Sequence, residues 1–366
     1  MTDLVIENLS KTYDKAAILD GVSIAVGAGE TVVVCGPSGG GKTVLLRLIS
    51  GVVEPDAGDI RIAGRSVLGL GPEERDVGMA FQNFALYPHM TAFENIASPL
   101  RARGLVETEI KRRVGEIAAL LRIEHVLGHT PRELSNGQKQ RTSLARSLVR
   151  GPGVLLLDDP LRNVDAKLRY EMRLELPRLL RNFGSAVLYV TQDYREAMAL
   201  GNRIAVLRAG RIEQLAPPTA IYREPESVEV ARLFGDPTIN LYPVQPEQGE
   251  ETSVVRLFGR PWHLPRMTGA AMGRDCIVGL RPEDIRISSE AQPAAVPFEL
   301  EAVTPLNVRG VLYLRGPQGE ELLATVPERE IGRFGRGHRR VWIEIPVERL
   351  HLFDRQSGLR IAASAA

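Results

Sequence analysis

GPSGGGKT, residues 36–43, fits the pattern G-x-x-x-x-G-K-[ST] of a phosphate-binding loop. The loop follows TVVVC, a short β-branched run, and precedes the apolar stretch VLLRLIS, so we expect a strand before it and a helix after it. Glycines let main-chain N–H groups turn towards phosphate oxygens, and the start of a helix favours negative charge. The segment therefore predicts a nucleotide-binding loop in an α/β fold.

The two residues that end this loop, together with one distant acid, predict a magnesium site. Lys42 is placed to reach the β- and γ-phosphates, and the Thr43 hydroxyl is placed to ligate Mg²⁺. Asp158 ends the apolar run VLLLD, where the acid of a Walker-B motif holds the metal. An aspartate after a strand is commonly a cap or turn residue, but its combination with the loop favours the metal role. We therefore expect ATP and Mg²⁺ as ligands.

Length and patterning predict two domains in this chain of 366 residues. Strand-like and helix-like patterns alternate over residues 1–235, which predicts an α/β P-loop NTPase domain with a helical subdomain at about 90–150. Prolines near residues 217, 225 and 237 then break the pattern. Residues 236–366 carry short strand-like segments separated by Gly and Pro, which predict a small β-rich barrel or sandwich. Within the helical part, apolar residues spaced by four, three and four predict one amphipathic helix face: Ile110, Val114, Ile117 and Leu121.

Composition excludes several other classes of protein. The 46 basic and 45 acidic side chains give a formal net charge of +1, so no long-range field attracts nucleic acid or anionic lipid. Cys35 and Cys276 are far apart in apolar surroundings and are expected to be reduced core residues. His125 and His129 lack a third ligand nearby, which argues against zinc. No window reaches the ~20 apolar residues of a membrane helix, and no signal peptide is recognisable, so we expect a cytoplasmic chain whose membrane role needs a partner.

Further motifs, in the same order along residues 1 to about 235, resemble those of the ABC ATPase family. LSNGQKQR, residues 134–141, resembles the family's LSGGQ signature. FQNFALYPHMT, residues 81–91, resembles the Q-loop with the segment after it, and LRNVD, residues 161–165, resembles the D-loop. ALYPHMT, PLRNVDAKLR, GLRPEDIRI and HLFD are similar to ATPases of bacterial carbohydrate-uptake importers, among them the maltose and glycerol-phosphate systems. The C-terminal strands then resemble that group's regulatory domain, an OB-type barrel.

The resemblance implies roles for individual residues. Tyr13 matches the aromatic side chain that stacks on adenine, and its alternative is a half-exposed strand residue. Gln82 matches the glutamine that senses Mg²⁺ and the γ-phosphate, so the implied metal set is Thr43, Gln82 and Asp158. Residues 83–90 are implied to meet the coupling helix of a permease. The implied nucleotide contacts comprise Tyr13, the loop residues Gly36, Pro37, Ser38, Gly39, Gly40, Gly41, Lys42, Thr43 and Val44, and the signature residues Ser135, Asn136, Gly137 and Gln138.

The signature residues also have a local reading. S-N-G-Q has the form of a capping box, with Ser135 as N-cap and Gln138 at N3, which predicts the start of a helix. N–H groups at that helix start would face the γ-phosphate bound by the opposite subunit. The family arrangement therefore implies that ATP lies between two cassettes.

Four residues depart from the family's pattern. Asp159 stands where the catalytic glutamate is expected, which retracts the carboxylate by about 1.5 Å. A misplacement of ~1 Å can cost on the order of 10²-fold in rate. Gln192 replaces the switch histidine and cannot become cationic or relay a proton. Asn136 replaces a signature glycine, and Val44 replaces a hydroxyl residue that would contact the α-phosphate, a loss of about 1 kcal/mol. With Asp159, Gln192 and Gln82 as the implied catalytic residues, we expect good ATP binding but slow hydrolysis.

Several assemblies and classes remain open at this point. The resemblance implies a peripheral ATPase on the inner face of the cell membrane, with two permease subunits and an extracytoplasmic substrate-binding protein as partners. A heterodimer with a second cassette that keeps the glutamate and histidine is favoured over a slow homodimer. A mainly regulatory subunit would differ from an ATPase that powers import only in its rate of ATP turnover. A soluble ABC protein of translation or DNA repair is disfavoured, because the chain has neither two cassettes nor a coiled-coil insertion, and its charge predicts no nucleic-acid partner.

Overall fold

The computed structural model describes residues 3–248, 252–264, 274–292, 295–306, 308–334 and 340–361. The chain divides into two units, Met1–Pro218 and Thr219–Ala366. The strands of the first unit are β1 Leu4–Tyr13, β2 Ala16–Val26, β3 Thr31–Cys35, β4 Ala57–Ile62, β5 Arg65–Ser66, β6 Val77–Ala80, β7 Val154–Asp158, β8 Ala186–Thr191, β9 Arg203–Arg208 and β10 Arg211–Ala216. Its helices are α1 Lys42–Ile49, α2 Ala92–Arg101, α3 Glu107–Leu121, α4 Asn136–Leu148, α5 Ala166–Phe183 and α6 Tyr194–Leu200, with a 3₁₀ turn at Glu124–Val126.

A six-stranded sheet of order β10-β9-β3-β8-β7-β6 forms the centre of the first unit. The pairs β3–β8, β3–β9, β7–β8 and β6–β7 are parallel, and only β10 runs antiparallel to its neighbour. Every residue of β3, β7 and β8 is buried, as the continuous apolar runs predict for parallel strands covered on both faces. The predicted α/β fold is therefore confirmed.

The first unit also contains an antiparallel sheet and a group of three helices. The antiparallel sheet β2-β1-β4-β5 shares an apolar core with β3 and α1. Helices α2, α3 and α4 contact one another in the stretch predicted to be helical. The helix-face prediction for α3 is confirmed, because Ile110, Val114, Ile117 and Leu121 are all buried.

The second unit is built from antiparallel strands that follow two short helices, α7 Pro218–Arg223 and α8 Val228–Leu233. Three sheets, of orders β11-β15-β21, β12-β13-β14 and β16-β20-β17-β18-β19, enclose one apolar core. Val255, Val278, Leu312 and Val341, which come from all three sheets, are fully buried there. The strands are β11 Asn240–Val244, β12 Glu247–Gln248, β13 Ser253–Leu257, β14 Arg260–Leu264, β15 Cys276–Leu280, β16 Arg286–Ser288, β17 Val296–Leu306, β18 Arg309–Arg315, β19 Glu321–Pro327, β20 Arg340–Glu344 and β21 His351–Asp354. This unit confirms the expected all-β domain of OB type.

Helix α8 belongs to the second unit, although it lies before the expected boundary near residue 236. Val228 and Ala231 pack against Ile239 and Phe353, and the Val228 N–H donates to the Gly358 carbonyl at 2.9 Å. The break in pattern therefore marks the start of the strands, whereas the packing unit starts earlier. In the described part of the chain, no helix is long and apolar enough to cross a membrane.

A buried arginine ties these helices to the strands. Arg281 is 2% exposed, and its Nη1 and Nη2 donate to the carbonyls of Phe234 and Tyr222 at 2.6 Å each. Its guanidinium carbon also lies 3.7 Å from the centre of the Tyr222 ring. Burial lowers the pKa of Arg281 to about 10, so the group remains charged at neutral pH.

Arg281→Met should destabilise the second unit by about 3 kcal/mol, since one buried and one partly buried carbonyl lose charged donors. Trp262 and Trp342 are the chain's two tryptophans and both lie in this unit, so the urea midpoint of tryptophan fluorescence measures the effect directly. Arg286→Met is the matched control, because Arg286 forms an exposed ion pair with Glu344 at 3.6 Å and should shift the midpoint little. Equal midpoints for the two variants would contradict this role for Arg281.

Candidate nucleotide-binding site

The carboxyl ends of four neighbouring strands meet at one edge of the central sheet. In sheet order these are β3, β8, β7 and β6, all parallel. The loop 36–43 follows β3, Gln192 follows β8, Asp158 ends β7, and Gln82 follows β6. Ligands of open α/β sheets bind outside this edge, so the topology alone brings the separated motifs together.

A cavity of about 380 Å³ lies at this edge. Its lining consists of Tyr13, Ile18, Ser38, Gly39, Gly41, Lys42, Thr43, Val44, Gln82, Asp158, Asp159, Arg162, Val190 and Gln192. The structure thus assembles most of the site residues expected from the sequence, including three of the four departures. Gly36, Pro37 and Gly40 belong to the same loop without lining the cavity. Among the described residues, no cluster of His, Cys, Asp and Glu suited to a metal is found, and His125 and His129 form none.

Two glycines of the loop, Gly36 and Gly41, are required by close packing. A Cβ at Gly36 would lie 2.1 Å from the carbonyl oxygen of Leu207 on the neighbouring strand β9. Gly41 has a φ of 94°, and a Cβ there would lie 2.7 Å from Leu19 Cδ2. Helix α1 then begins at Lys42 without a side-chain cap or an acidic residue in its first turn. Its first N–H groups are therefore available to an anion.

The Lys42 side chain is held against the main chain of its own loop. Its Nζ donates to the carbonyls of Gly36 at 3.0 Å and Pro37 at 2.7 Å, and the residue is 6% exposed. Burial lowers the pKa of Lys42, partly offset by Asp159 and Asp158 nearby. The ammonium is thus pre-positioned by main-chain oxygens at the wall of the cavity.

Thr43 and Asp158 form a pair of oxygen donors. The Thr43 hydroxyl donates to Asp158 Oδ1 at 3.3 Å. Burial raises the pKa of the Asp158 carboxyl, because few groups replace the water that it has lost. A hydroxyl, a carboxylate and the nearby amide oxygen of Gln82 are the hard ligands that Mg²⁺ prefers, so these residues fit the expected metal.

Asp159 adopts a left-handed backbone conformation, with a φ of 44°. Aspartate tolerates this region better than most residues with a Cβ. Its carboxylate accepts a bond from the Thr191 hydroxyl at 3.4 Å and lies 3.7 Å from Arg162 Nη1. Burial raises the pKa of Asp159, although Arg162 acts in the opposite direction. Gln192 lines the cavity beside it and is exposed.

Behind this carboxylate lies a hydrogen-bond network that sequence reasoning missed. The hydroxyls of Tyr189 and Thr191 donate to Glu196 Oε2 at 2.8 and 2.9 Å. Glu196 is 2% exposed, and burial raises its pKa. The Thr191 hydroxyl has one proton and can therefore donate a hydrogen bond to Glu196 or to Asp159, but not fully to both. A glutamate on the first turn of α6 gives no signal of burial, because such acids normally face solvent.

The signature segment stands apart from this cavity within one chain. Ser135 caps α4 as expected: its Oγ accepts from the Gln138 N–H at 3.3 Å, and Gln138 Oε1 accepts from the Ser135 N–H at 2.9 Å. Asn136 is exposed, whereas Gly137 is buried against Leu168, whose Cδ2 would lie 2.1 Å from a Cβ at that position. None of Ser135, Asn136, Gly137 and Gln138 lines the cavity.

Comparisons with known proteins agree with this geometry. Residues 19–162 match the family model described as ABC transporter. The chain is 40% identical, over 100% of its own length and 98% of the relative's, to the sn-glycerol-3-phosphate import ATP-binding protein UgpC of Chromobacterium violaceum. UgpC of Cereibacter sphaeroides is also 40% identical, over 99% of this chain and 100% of that protein.

Solved structures match part of the chain. The dimeric structure of a post-hydrolysis state of the ATP-binding cassette MJ0796, bound to ADP and Pi, is 30% identical with a TM-score of 0.53. The match covers 59% of this chain and 98% of that one. A second dimeric structure of MJ0796, a bacterial ABC transporter cassette, gives the same values.

Gly36→Ala should weaken nucleotide binding at least tenfold, because a Cβ at this position forces the loop away from Leu207. Titration with a fluorescent ATP analogue measures the loss. Gly115→Ala on α3 is the matched control, since a Cβ there meets no atom within 4 Å and alanine favours a helix. Unchanged affinity in Gly36→Ala would contradict the close-packing argument.

Proposed function

Since the chain belongs to the ABC transporter family of ATP-binding proteins, we propose that it is the ATPase subunit of an importer for a glycerol phosphate, a sugar or a polyol. The observation that carries the proposal is similarity at 40% identity along the whole chain, both units included, to import ATP-binding proteins for sn-glycerol-3-phosphate. The cavity at the strand ends supports the proposal, because it brings together side chains suited to bind phosphate, a metal ion and adenine. Relatives share folds more readily than substrates, so the cargo is proposed as a class.

ATP binding follows from the main chain of the loop and from a few side chains. The uncapped N–H groups of α1 and the Lys42 ammonium receive the β- and γ-phosphates. Tyr13 is 41% exposed at the rim of the cavity, which suits a ring that stacks on adenine. Thr43, Asp158 and Gln82 hold Mg²⁺, which when bound offsets charge on the phosphate oxygens.

Hydrolysis is proposed to be slow at this site. Asp159 occupies the place of a longer carboxylate, and Gln192 offers only a neutral hydrogen bond to the γ-phosphate. The binding residues Lys42, Thr43 and Asp158 are retained, while both residues closest to the proposed chemistry are altered. We therefore propose a heterodimer in which a second cassette carries the faster site; a slow homodimer or a mainly regulatory subunit are the alternatives.

The second cassette completes the ATP site. Ser135, Asn136, Gly137 and Gln138 lie at a helix start away from the chain's own cavity, and the similar cassette MJ0796 forms a dimer. An opposing chain would therefore present this helix start to the γ-phosphate.

A groove of about 450 Å³ supports the proposed contact with a permease. Phe81, Ala85 and Tyr87 line it, together with residues of β6, α2 and α4. Arg146 and Ser143 of α4 hold the segment 83–90 through the carbonyls of Phe84 and Ala85, at 2.8 Å for the shortest bond from each. Gln82 lies in the same short segment of chain as the groove residues Phe81 and Tyr87. Movement of Gln82 at the nucleotide can therefore reach a coupling helix that binds in the groove. The proposed assembly contains two permease subunits, with a substrate-binding protein on the other side of the membrane, and places the chain at the inner face.

Lys42→Ala should reduce affinity for Mg-ATP roughly 10²-fold, the equivalent of about 3 kcal/mol, through loss of a charged hydrogen bond. Lys111→Ala on the exposed face of α3 is the control and should bind like the parent. Equilibrium titration of the purified chain with a fluorescent ATP analogue and magnesium decides the matter. The proposed function fails if no saturable binding occurs or if Lys42→Ala binds equally well.

Asp159→Glu combined with Gln192→His should raise steady-state ATPase turnover at least tenfold, because both changes restore the family's reacting groups. Asp159→Asn with Gln192→Ala should abolish whatever turnover remains. Rates are compared at saturating Mg-ATP, so that binding differences do not contribute. The slow-site hypothesis would be wrong if the unmodified chain hydrolysed ATP at a rate typical of the family and Asp159→Asn with Gln192→Ala left that rate unchanged.

A further inference from the structure

Arg162 lies in the D-loop-like segment LRNVD and lines the nucleotide cavity, yet the family resemblance implied no role for it. It lies three residues after Asp159, and its side chain is 50% exposed. We infer that Arg162 transfers from Asp159 to the γ-phosphate when ATP binds, supplying the cationic contact that Gln192 cannot make and releasing Asp159 to act on water. The inference rests on the proposed ATPase function and deepens it.

The backbone of Arg162 is fixed while its side chain is loosely held. Its N–H donates to the Asp159 carbonyl at 3.2 Å, and its own carbonyl accepts from Arg169 Nη2 at 3.2 Å. The guanidinium, by contrast, lies 3.7 Å from Asp159 Oδ2, which is longer than a good charged hydrogen bond. In the described part of the chain, Asp159 is the one acid within ion-pair distance of Arg162. The side chain can therefore turn without disturbing the segment.

The charge balance of the cavity favours this transfer. Two cations, Lys42 and Arg162, and two anions, Asp158 and Asp159, line it, so the formal charges cancel. A triphosphate adds several negative charges, only some of which the metal offsets. Lys42 is already engaged by two main-chain carbonyls, whereas Arg162 has donors to spare. A planar guanidinium also binds phosphate oxygens in a bidentate manner, which an amide cannot do.

The release of Asp159 gives the arginine an effect on chemistry as well as on binding. While Arg162 Nη1 lies 3.7 Å from Asp159 Oδ2, the carboxylate is a poorer proton acceptor, because the nearby cation stabilises its ionised form. Once the guanidinium has moved, Asp159 can take a proton from a water molecule while the oxygen of that water bonds to the γ-phosphorus. The bond from the γ-phosphorus to the bridging oxygen breaks, and its electron pair leaves with ADP. The contact of Arg162 with the γ-phosphate partly offsets the loss of the switch histidine, while the shorter carboxylate of Asp159 keeps hydrolysis slow.

Binding of diphosphate and triphosphate distinguishes this role from a purely structural one. Arg162→Ala should bind Mg-ADP within about twofold of the parent, yet bind the non-hydrolysable analogue Mg-AMPPNP about tenfold more weakly. Arg162→Lys should restore part of the difference, because it returns the charge without the planar fork. Arg178→Ala, at an exposed position of α5, is the matched control and should alter neither affinity. An unchanged ratio of the two affinities in Arg162→Ala would overturn the inference.

A double-mutant cycle tests the transfer itself. Asp159→Asn should strengthen AMPPNP binding several-fold when Arg162 is present, because the guanidinium no longer leaves a partner. In the Arg162→Ala background the same substitution should give a much smaller gain. Equal gains in both backgrounds would show simple repulsion between carboxylate and phosphate, and would refute the transfer. Failure of the parent to bind either nucleotide, or undiminished binding by Lys42→Ala, sinks the proposed function instead, so the two failures are distinguishable.

Discussion

Parallel pairing of β3, β8, β7 and β6 is the constraint from which the rest of the site follows. Parallel strands place all their carboxyl ends at one edge, so groups separated by more than a hundred residues become neighbours without any long-range design of their loops. The approach of the loop to β9 then sets its shape, because Gly36 leaves no room for a side chain beside the Leu207 carbonyl. The proposed contacts to phosphate are therefore mainly made by the main chain, which is held by the same sheet that forms the core.

This arrangement forces charged groups into a poorly hydrated space. Asp158 and Asp159 are each 8% exposed, and burial raises the pKa of both. The free-energy cost of burying these carboxylates is partly offset by contacts with Thr43, Thr191 and Arg162, each of 3.3 Å or longer. Weakly satisfied carboxylates are what a site needs if an incoming metal and nucleotide are to gain free energy on binding. The same looseness makes the site sensitive to small changes in its side chains.

Local patterns in the sequence predicted the loop, the buried strands, the α3 face and the cap at Ser135, because each depends on residues close together in the chain. The network of Tyr189 and Glu196 was not predictable in this way. A glutamate on a first helical turn looks like a solvated dipole partner, and its burial follows only from the packing of α6. Arg162 was missed because the direction of a long side chain depends on the turn after Asp159, whose positive φ no pattern indicates. The position of α8 in the second unit likewise depends on contacts with strands far along the chain.

The division between main-chain and side-chain contributions explains why the departures fall where they do. A substitution at Asp159 or Gln192 leaves the loop, the start of α1 and Lys42 in place, since these are held by packing and by carbonyl oxygens. Binding can therefore persist while chemistry changes. A change at Gly36 or Gly41 has no such freedom, because it displaces backbone against the core. Under the proposed pairing with a faster cassette, this chain needs the glycines of its loop more than a catalytic glutamate, and its sequence keeps those glycines while Asp159 stands in place of the glutamate.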